Sequence, residues 1–362
     1  MTVTAFTLGC KVNQYDTEMI LHGFSDRGYM VCDTGPADIY IINTCTVTNI
    51  SDKKSRKMIS RAYRENPDAF IVAYGCYAQV KPEVLRDLPG VSMVIGTDDK
   101  HRVAEIVTSA HSGVKETIGK IQNNRYQSPK RNKAYLKVQD GCDRFCSYCI
   151  VPYARGGVVK KPAKEAVAEA KRLVADGYRE IVITGIQIAS YGDDLKRLIK
   201  QVHDIPGLER IHLSSLEPNI IDDDFLRALS ALPKLCGHFH LSLQSGCDRV
   251  LARMNRRYTT ADYANAVASL RGYFPDAELT TDIIAGFPGE TEEDFIETVK
   301  FVESIGFSGL HVFPYSPKEG TPAAGFSGQV DAHEKERRSK VLRQLVSGSE
   351  TVENNKEDID ER

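Results

Sequence analysis

The sequence lacks any apolar run that approaches the roughly 20 residues needed to cross a bilayer. Its first residues, Met1 to Leu8, lack the charged and apolar regions of a signal peptide. The chain also lacks an excess of either charge, because its formal net charge is -2. These absences predict a cytoplasmic protein with no membrane partner. Any contact with nucleic acid must come from local basic patches, since the whole chain offers no attraction.

The length and composition are those of an ordinary soluble protein. With 362 residues the chain is too long for one small domain and suggests two. Its 41% hydrophobic and 27% charged residues are typical of globular proteins. In a reducing cytoplasm its nine cysteines are expected to be ligands, catalytic groups or buried thiols rather than disulfides.

The first hundred residues alternate between strand-like and helix-like segments. Strands are predicted at 3–8, 38–43, 69–74 and 93–95, and helices at 17–27, 51–64, from 82 onward and at 100–109. This alternation predicts an α/β domain with a small open parallel sheet over residues 1–112. The polar, aperiodic residues 113–133 are predicted to be a linker.

The alternation resumes at residue 135 and predicts a second α/β domain over residues 134–346. Strands are predicted at 135–139, 180–184, 210–214, 238–243, 279–284 and 309–314, and helices at 164–176, 195–203, 223–232, 260–273 and 291–305. Thr291 and Asp294 have the spacing of a helical capping box. Six βα units favour a partial (β/α)6 barrel over a full eight-unit one. The acidic residues 347–362 are expected to be a disordered tail.

One cysteine motif directly follows a predicted strand. Cys142, Cys146 and Cys149 form C-x-x-x-C-x-x-C. Three thiolates on one tight loop can hold three irons of a [4Fe–4S] cluster and leave the fourth iron without a protein ligand. An open iron can chelate S-adenosylmethionine, and electron transfer then splits its C–S bond to give a 5′-deoxyadenosyl radical. The alternative is a zinc site, which usually needs a fourth Cys or His.

A second set of cysteines is far apart in sequence but recurs at equivalent places. Cys10, Cys45 and Cys76 each follow one of the first three predicted strands. Because the carboxyl ends of parallel strands share one edge of a sheet, the three thiols can converge on a second cluster. The alternative is three unrelated buried thiols. The remaining cysteines have no ligand-like spacing and are interpreted as ordinary thiols; these are Cys32, Cys236 and Cys247.

The chain resembles the radical-SAM methylthiotransferases over nearly its whole length to about Arg338. The stretches that carry this resemblance are Thr7 to Glu18, Asn43 to Asn49, Gly75 to Gln79, Gly141 to Tyr153, Thr184 to Gly192, Leu213 to Pro218, Leu241 to Gly246, Met254 to Tyr258, Thr281 to Thr291 and His311 to Tyr315. Lys11 to Gln14 and Thr46 to Asn49 look most like the branch that acts on N6-threonylcarbamoyladenosine (t6A). The second domain is then a radical-SAM barrel.

The resemblance implies a tRNA-modifying transferase with two [4Fe–4S] clusters that uses two S-adenosylmethionines per product. One would methylate a sulfur carried at the N-terminal cluster. The other would give the radical that abstracts hydrogen from C2 of the adenine next to the anticodon, and the methylthio group would then be transferred to that carbon. The implied partners are the anticodon arm of tRNA and an electron-donor protein such as a flavodoxin or ferredoxin.

The resemblance also implies that polar groups at strand ends surround S-adenosylmethionine. The candidates are Tyr148, Thr184, Gly185, Ser215, Gln244 and Arg257, with Arg257 reaching its carboxylate and with Asp282 and Pro288 closing the same face. Any of these residues could instead cap a helix. Candidate RNA contacts are the basic groups Lys53, Lys54, Arg56 and Lys57, then Lys130 and Arg131, then Arg253 and Arg256, although charged helix faces are usually just solvated.

The sequence departs from the family in two places. Residues 157–161 read Gly-Val-Val-Lys-Lys where the family usually has an Arg-Ser-Arg segment, and Lys cannot make the bidentate contacts of Arg. After Lys335 to Leu345 the chain ends in an acidic tail, so the family's C-terminal TRAM domain is not expected and RNA binding should be weak. The alternatives are a methylthiotransferase acting on isopentenyl-adenosine tRNA or on a ribosomal protein, and a catalytically impaired relative that binds RNA or a partner.

Overall fold

The computed structural model describes residues 1–33, 35–112 and 133–346. These residues form two compact units, which we call the N-terminal unit (residues 1–112 and 150–157) and the barrel unit (residues 133–149 and 158–346). The predicted linker, apart from Lys133, and the predicted acidic tail lie outside the described residues. Within the described residues, no helix combines the length and the apolar character needed to cross a membrane.

The N-terminal unit is built on a five-stranded parallel sheet with the order β2-β1-β3-β4-β5. Its strands are Thr2–Thr7 (β1), Met30–Val31 (β2), Ile39–Thr44 (β3), Phe70–Gly75 (β4) and Val91–Ile95 (β5). All six residues of the central strand β3 are buried, because both faces of the sheet are covered. Its helices are Lys11–Ser25 (α1), Asn49–Glu65 (α2), Cys76–Val80 (α3), Pro82–Arg86 (α4), Val103–Ser112 (α5) and Val151–Arg155 (α6).

Helix α1 begins six residues before its predicted start. It runs from Lys11 to Ser25, whereas the pattern predicted 17–27. Its first two turns bury the polar side chains Asn13 and Asp16 together with Val12 and Tyr15. A search for apolar periodicity misses these turns, because buried polar residues interrupt the apolar stripe.

The barrel unit carries six parallel strands in two sheets of three, β10-β9-β6 and β11-β12-β13, and a short antiparallel pair, β7-β8. The strands are Lys133–Lys137 (β6), Gln139–Asp140 (β7), Val159–Lys160 (β8), Glu180–Thr184 (β9), Arg210–Leu213 (β10), His238–His240 (β11), Glu278–Ala285 (β12) and Gly309–Pro314 (β13). The two sheets meet where the backbone N–H of Leu216 donates to the carbonyl of His240 at 2.8 Å.

The helices of the barrel unit alternate with its strands. They are Ala163–Ala175 (α7), Asp194–His203 (α8), Asp223–Ser230 (α9), Asp248–Arg253 (α10), Thr260–Tyr273 (α11), Glu292–Ile305 (α12) and Ala332–Gln344 (α13). Thr291 caps α12 in a capping box with Asp294, as predicted. The α/β fold with parallel sheets is confirmed.

The two faces of the barrel strands differ in character. Residues that alternate along each strand, such as Leu279 and Ile283 of β12, are buried in one apolar core with the helices. Their neighbours Thr280 and Asp282 point to the opposite face and are only partly buried. We call this opposite face the inner wall, because the surrounding helices cover the other one.

Candidate functional site

Three cysteines of the N-terminal unit lie at the carboxyl ends of adjacent strands. Cys10 is the N-cap of α1, just after β1, while Cys45 and Cys76 directly follow β3 and β4. These strands are hydrogen-bonded neighbours in the sheet. Cys76 and Cys10 both contribute electrostatically to the pKa of Cys45, and Cys10 contributes to the pKa of Cys76. The three thiols therefore lie close enough to influence one another. The structure therefore brings together the predicted auxiliary triplet, Cys10, Cys45 and Cys76.

Two glycines allow this close approach. Gly9 has a φ of +98°, and a Cβ atom there would lie 2.9 Å from the sulfur of Cys45. Gly75, which precedes Cys76, has a φ of +103°, and a Cβ atom there would lie 2.6 Å from the side-chain oxygen of Asn43. Both contacts are too short for any side chain, so these turns require glycine.

Burial affects two of the auxiliary thiols, Cys45 and Cys76. Burial raises the pKa of the Cys45 thiol to about 12, and the neighbouring Cys76 adds to the rise. Burial also raises the pKa of Cys76, although the nearby Arg155 cation works against it. Without metal these thiols keep their protons at neutral pH. Binding of iron would release the protons, because only the thiolate is a ligand.

Arg155 is a residue of this site that sequence reasoning missed. Its side chain is 2% exposed and donates to Asn13 Oδ1 at 2.5 Å and to Asp16 Oδ2 at 3.2 Å. Its charge also acts on Cys76. The segment 150–157, which carries Arg155, belongs to the N-terminal unit although it directly follows Cys149 in sequence. The sequence carries no local signal for this contact, because the burial of Asn13 and Asp16 becomes visible only in the structure.

The second triplet, Cys142, Cys146 and Cys149, lies in the loop that follows β7. The backbone N–H of Cys149 donates to the carbonyl of Cys146 at 2.9 Å. We call residues 141–149 the cluster loop. The segment after α10 holds this loop, because Ser147 Oγ donates to the carbonyl of Arg253 at 2.8 Å and Asn255 Nδ2 to that of Phe145 at 3.0 Å. These hydrogen bonds tie the cluster loop to the segment after α10.

Arg256 supplies positive charge beside the cluster loop. One guanidinium nitrogen lies 3.3 Å from Cys146 Sγ and another 3.1 Å from a carboxylate oxygen of Glu217. The side chain is 7% exposed. The sequence predicts an RNA contact at Arg256, but its burial and its pairing with Glu217 make that prediction wrong. Its guanidinium instead joins the sulfur of Cys146 to the carboxylate of Glu217.

Within the described residues, neither cysteine triplet has the close ligand spacing expected around one metal ion. In the described part of the chain, groups of three whose ligand atoms all lie within 4.8 Å of one another occur at His240–Asp282–His311 and at Cys247–Asp294–Glu297. Neither cysteine triplet is among them. A zinc ion gathers its thiolates at one centre, whereas each thiolate of a four-iron cluster binds a different iron. This spacing disfavours a single zinc ion at either triplet.

Backbone strain is concentrated around the cluster loop and one strand end. The described residues other than glycine with positive φ are Phe145 at 48°, Asn255 at 58° and Gln244 at 73°. Phe145 lies between two of the loop cysteines, and Asn255 holds the loop through its side chain. Such strain persists where a site over-determines the backbone. Its occurrence at Gln244 adds independent support to that residue as a candidate.

The remaining candidates for binding S-adenosylmethionine differ in burial and in the residues they contact. Thr184 is buried at the end of β9, Ser215 is exposed just after β10, and Arg257 lines a pocket beside Cys146. Tyr148 packs edge-on against Phe287 with ring centroids 6.5 Å apart. Gly185 has a packing reason to be glycine, because a Cβ atom there would lie 2.8 Å from Gln139 Oε1.

The other predicted residues have varied surroundings. Lys53 and Lys57 are exposed on α2, whereas Arg56 donates to the hydroxyl of Tyr77 at 2.7 Å. Lys130 and Arg131 lie outside the described residues. Cys247 is buried in an apolar cluster with Val250, Met254 and Phe287, and its Sγ donates to Asp294 Oδ1 at 3.3 Å.

Family models match both units. Residues 136–302 match the radical SAM superfamily, and residues 2–96 match a family described as uncharacterized protein family UPF0004. The threonylcarbamoyladenosine tRNA methylthiotransferase MtaB of Bacillus subtilis (strain 168) is 42% identical over 353 residues, which are 93% of this chain and 78% of that protein. The chain belongs to the tRNA methylthiotransferase family. Membership of the radical SAM superfamily implies a [4Fe–4S] cluster and S-adenosylmethionine.

This tRNA methylthiotransferase family member is also similar to a second enzyme in sequence and to a solved structure in fold. The tRNA-2-methylthio-N(6)-dimethylallyladenosine synthase of Jannaschia sp. (strain CCS1) is 38% identical, covering 94% of this chain and 78% of that one. A solved structure of the radical S-adenosylmethionine methyltransferase TsrM from Kitasatospora setae has a TM-score of 0.69 and 15% identity, covering 96% of this chain and 89% of that one. At that identity the likeness concerns the fold alone.

Proposed function

We propose that this chain methylthiolates C2 of t6A next to the anticodon in tRNA. The observation that carries the proposal is the pair of cysteine triplets, each gathered within one unit. Identity of 42% to a relative named for that substrate supports it. An adenine C–H is not acidic enough for an acid–base route, so a radical site and a separate sulfur site are both needed.

The radical site is assigned to the barrel unit. Cys142, Cys146 and Cys149 would hold a [4Fe–4S] cluster, which supplies the electron that cleaves S-adenosylmethionine to a 5′-deoxyadenosyl radical. Arg256, 3.3 Å from Cys146 Sγ, balances thiolate charge. Polar strand-end residues, with strained Gln244 among them, would bind S-adenosylmethionine.

The sulfur site is assigned to the N-terminal unit. Cys10, Cys45 and Cys76 would hold a second [4Fe–4S] cluster, at which sulfur is delivered. Two S-adenosylmethionines are consumed per product, one for the methyl group and one for the radical. Arg155 places a buried positive charge beside this site, which favours thiolates and a negatively charged cluster.

The proposed partners follow from this chemistry. The substrate is the anticodon arm of tRNA, and the electrons come from a donor protein such as a flavodoxin or ferredoxin. We place the protein in the cytoplasm, where tRNA and reductants are found. Exposed Lys53 and Lys57 are candidate phosphate contacts.

The test is mass spectrometry of tRNA nucleosides from cells with and without the gene. The proposal expects 2-methylthio-t6A to disappear on deletion and t6A to accumulate. Complementation with the wild-type gene should restore the product, and complementation with Cys146→Ala should not. Loss of the methylthiolated dimethylallyladenosine instead would favour the second tRNA substrate. A change in a ribosomal protein alone would favour the protein substrate, and no change in either would indicate an impaired relative.

A further inference from the structure

Three ionisable side chains of the barrel unit form a hydrogen-bonded group, of which the sequence predicts only Asp282 to lie near S-adenosylmethionine. His240, Asp282 and His311 come from the adjacent strands β11, β12 and β13. His240 Nε2 lies 3.3 Å from Asp282 Oδ2, and His311 Nδ1 lies 3.2 Å from Asp282 Oδ1. The two imidazoles stack with centroids 5.5 Å apart and an angle of 19° between the rings. We call this group the inner-wall triad.

The triad is part of a wider polar surface. His240 Nδ1 lies 3.0 Å from Thr280 Oγ1, which in turn lies 3.2 Å from His238 Nε2. Their sequence neighbours Leu279 and Ile283 face the opposite way, into the helix-covered core. Polar residues therefore occupy the inner wall at consecutive alternate positions, where an ordinary packed sheet would carry apolar side chains.

The triad is open to a ligand and adjoins the expected S-adenosylmethionine site. The side chains of Asp282 and His311 are 29% and 38% exposed. The backbone carbonyl of Asp282 accepts the N–H of the strained residue Gln244 at 2.9 Å. A group bound against the triad would thus lie next to Gln244, on the wall where the radical is expected to act.

The carboxylate of the triad remains charged. Burial works to raise the pKa of Asp282, but the hydrogen bonds from His240 and His311 outweigh it and hold the pKa below its usual range. A carboxylate has about four acceptor sites. The two imidazoles contact one oxygen each, so a ligand that displaces water must supply donors for the remaining sites or leave them unsatisfied. A buried polar group left without a partner weakens binding.

The two tRNA substrates named among the relatives make opposite demands on such a surface. Dimethylallyladenosine carries a hydrocarbon on N6, which can satisfy none of these polar groups. Threonylcarbamoyladenosine carries a carboxylate, a hydroxyl and a urea on N6. An imidazole N–H that now contacts Asp282 or Thr280 would be shared with, or redirected to, the carboxylate and carbonyl oxygens of this substituent, and Asp282 can accept from its hydroxyl or urea N–H.

We propose that the inner-wall triad receives the threonylcarbamoyl group, and that His311 and Asp282 determine specificity for this N6 substituent. This inference rests on the proposed function, and it goes further by assigning the choice of substrate to named residues. Sequence identity does not by itself distinguish the two substrates, because it is 42% to a threonylcarbamoyladenosine enzyme and 38% to a dimethylallyladenosine enzyme.

The test uses the reconstituted full chain and three anticodon stem-loop RNAs that carry t6A, dimethylallyladenosine or unmodified adenosine at one position. The measured quantity is kcat/KM for the methylthiolated product. Wild type should prefer the t6A RNA over the dimethylallyl RNA by at least about 100-fold, because a site built for hydrogen bonds rejects an analogue that lacks them. His311→Phe and Asp282→Asn should each narrow this ratio at least about tenfold, through loss on the t6A RNA.

His333→Phe is the matched control, since His333 is exposed on α13. This variant should keep the wild-type ratio. Equal iron content in all proteins checks folding and also tests the triad as a metal site. If His311→Phe and Asp282→Asn both keep the wild-type ratio, or lose a stoichiometric extra metal, the inference is overturned. Wild type that is active on the t6A RNA but equally active on the dimethylallyl RNA would overturn it too. Wild type inactive on every RNA would instead overturn the proposed function.

Discussion

The guanidinium of Arg155 pairs with the carboxylate of Asp16 at 3.2 Å, with side chains only 2% and 5% exposed. A buried cation that lacks a partner is very costly, so the pair is expected to hold α1 and α6 together in the N-terminal unit. Because Cys10 caps the start of α1 and Arg155 also acts on Cys76, the ion pair belongs to the auxiliary site.

Replacing Arg155 with Gln should make the auxiliary cluster harder to reduce. Removing a nearby positive charge disfavours the more negative, reduced cluster and lowers its midpoint potential. The measurement is a redox titration followed by electron paramagnetic resonance, in a background where Cys142, Cys146 and Cys149 are Ala so that one cluster remains.

Two variants make the Arg155 titration selective. Arg155→Lys keeps the charge and should retain most of the potential, although it loses the forked geometry. Arg197→Gln, at a site 66% exposed on α8, should change nothing. A midpoint potential in Arg155→Gln equal to that of wild type would contradict a role for this charge at the cluster.

The two triplets should each account for half of the iron. Wild type reconstituted without oxygen should contain about eight irons per chain, if each triplet holds a four-iron cluster. Replacing Cys10, Cys45 and Cys76 with Ala should leave about four, since the two sites lie in separate units. Iron is measured colorimetrically against protein from amino-acid analysis. Wild type that never exceeds about four irons would mean that one triplet holds no cluster.

Alkylation should distinguish the auxiliary cysteines in cluster-free protein. Cys10 is exposed, while Cys45 is buried with a pKa raised to about 12. The thiolate is the reactive form, so Cys45 should react far more slowly at pH 7 and speed up as pH rises towards its pKa. Isotope-coded iodoacetamide with peptide mass spectrometry measures each rate. In denatured protein the rates should converge, and a Cys45 rate at pH 7 equal to that of Cys10 in folded protein would contradict the described burial.

Much of the fold could be predicted because its elements follow regular apolar patterns. The strands around Ile39–Thr44 and Gly309–Pro314 stand out as buried runs, and the cap at Thr291 has a local signature. Both cysteine triplets could be selected because ligand type and strand-end position are visible in sequence. These signals are local, and local signals are what a single sequence contains.

The rest of the site depends on contacts between distant residues. Arg155 lies 142 positions from Asn13, and no spacing rule connects them. The basic residues around Arg256 predict a surface cation. Its burial against Glu217 depends on a distant residue and is not visible in that local pattern. The inner-wall group of His240 and His311 was missed because partly exposed polar residues on a strand resemble a solvent-facing edge until the barrel sheets are assembled.

We propose a radical site in the barrel unit and a sulfur site in the N-terminal unit. This division of roles is tested by measuring two products in one reaction. The Cys10, Cys45 and Cys76 to Ala variant is incubated with reductant, S-adenosylmethionine and a t6A stem-loop. We expect this variant to form 5′-deoxyadenosine near the wild-type level and no 2-methylthio-t6A. The variant with Cys142, Cys146 and Cys149 replaced should form neither product. Wild-type amounts of 2-methylthio-t6A from the first variant, or 5′-deoxyadenosine from the second, would contradict the division of roles.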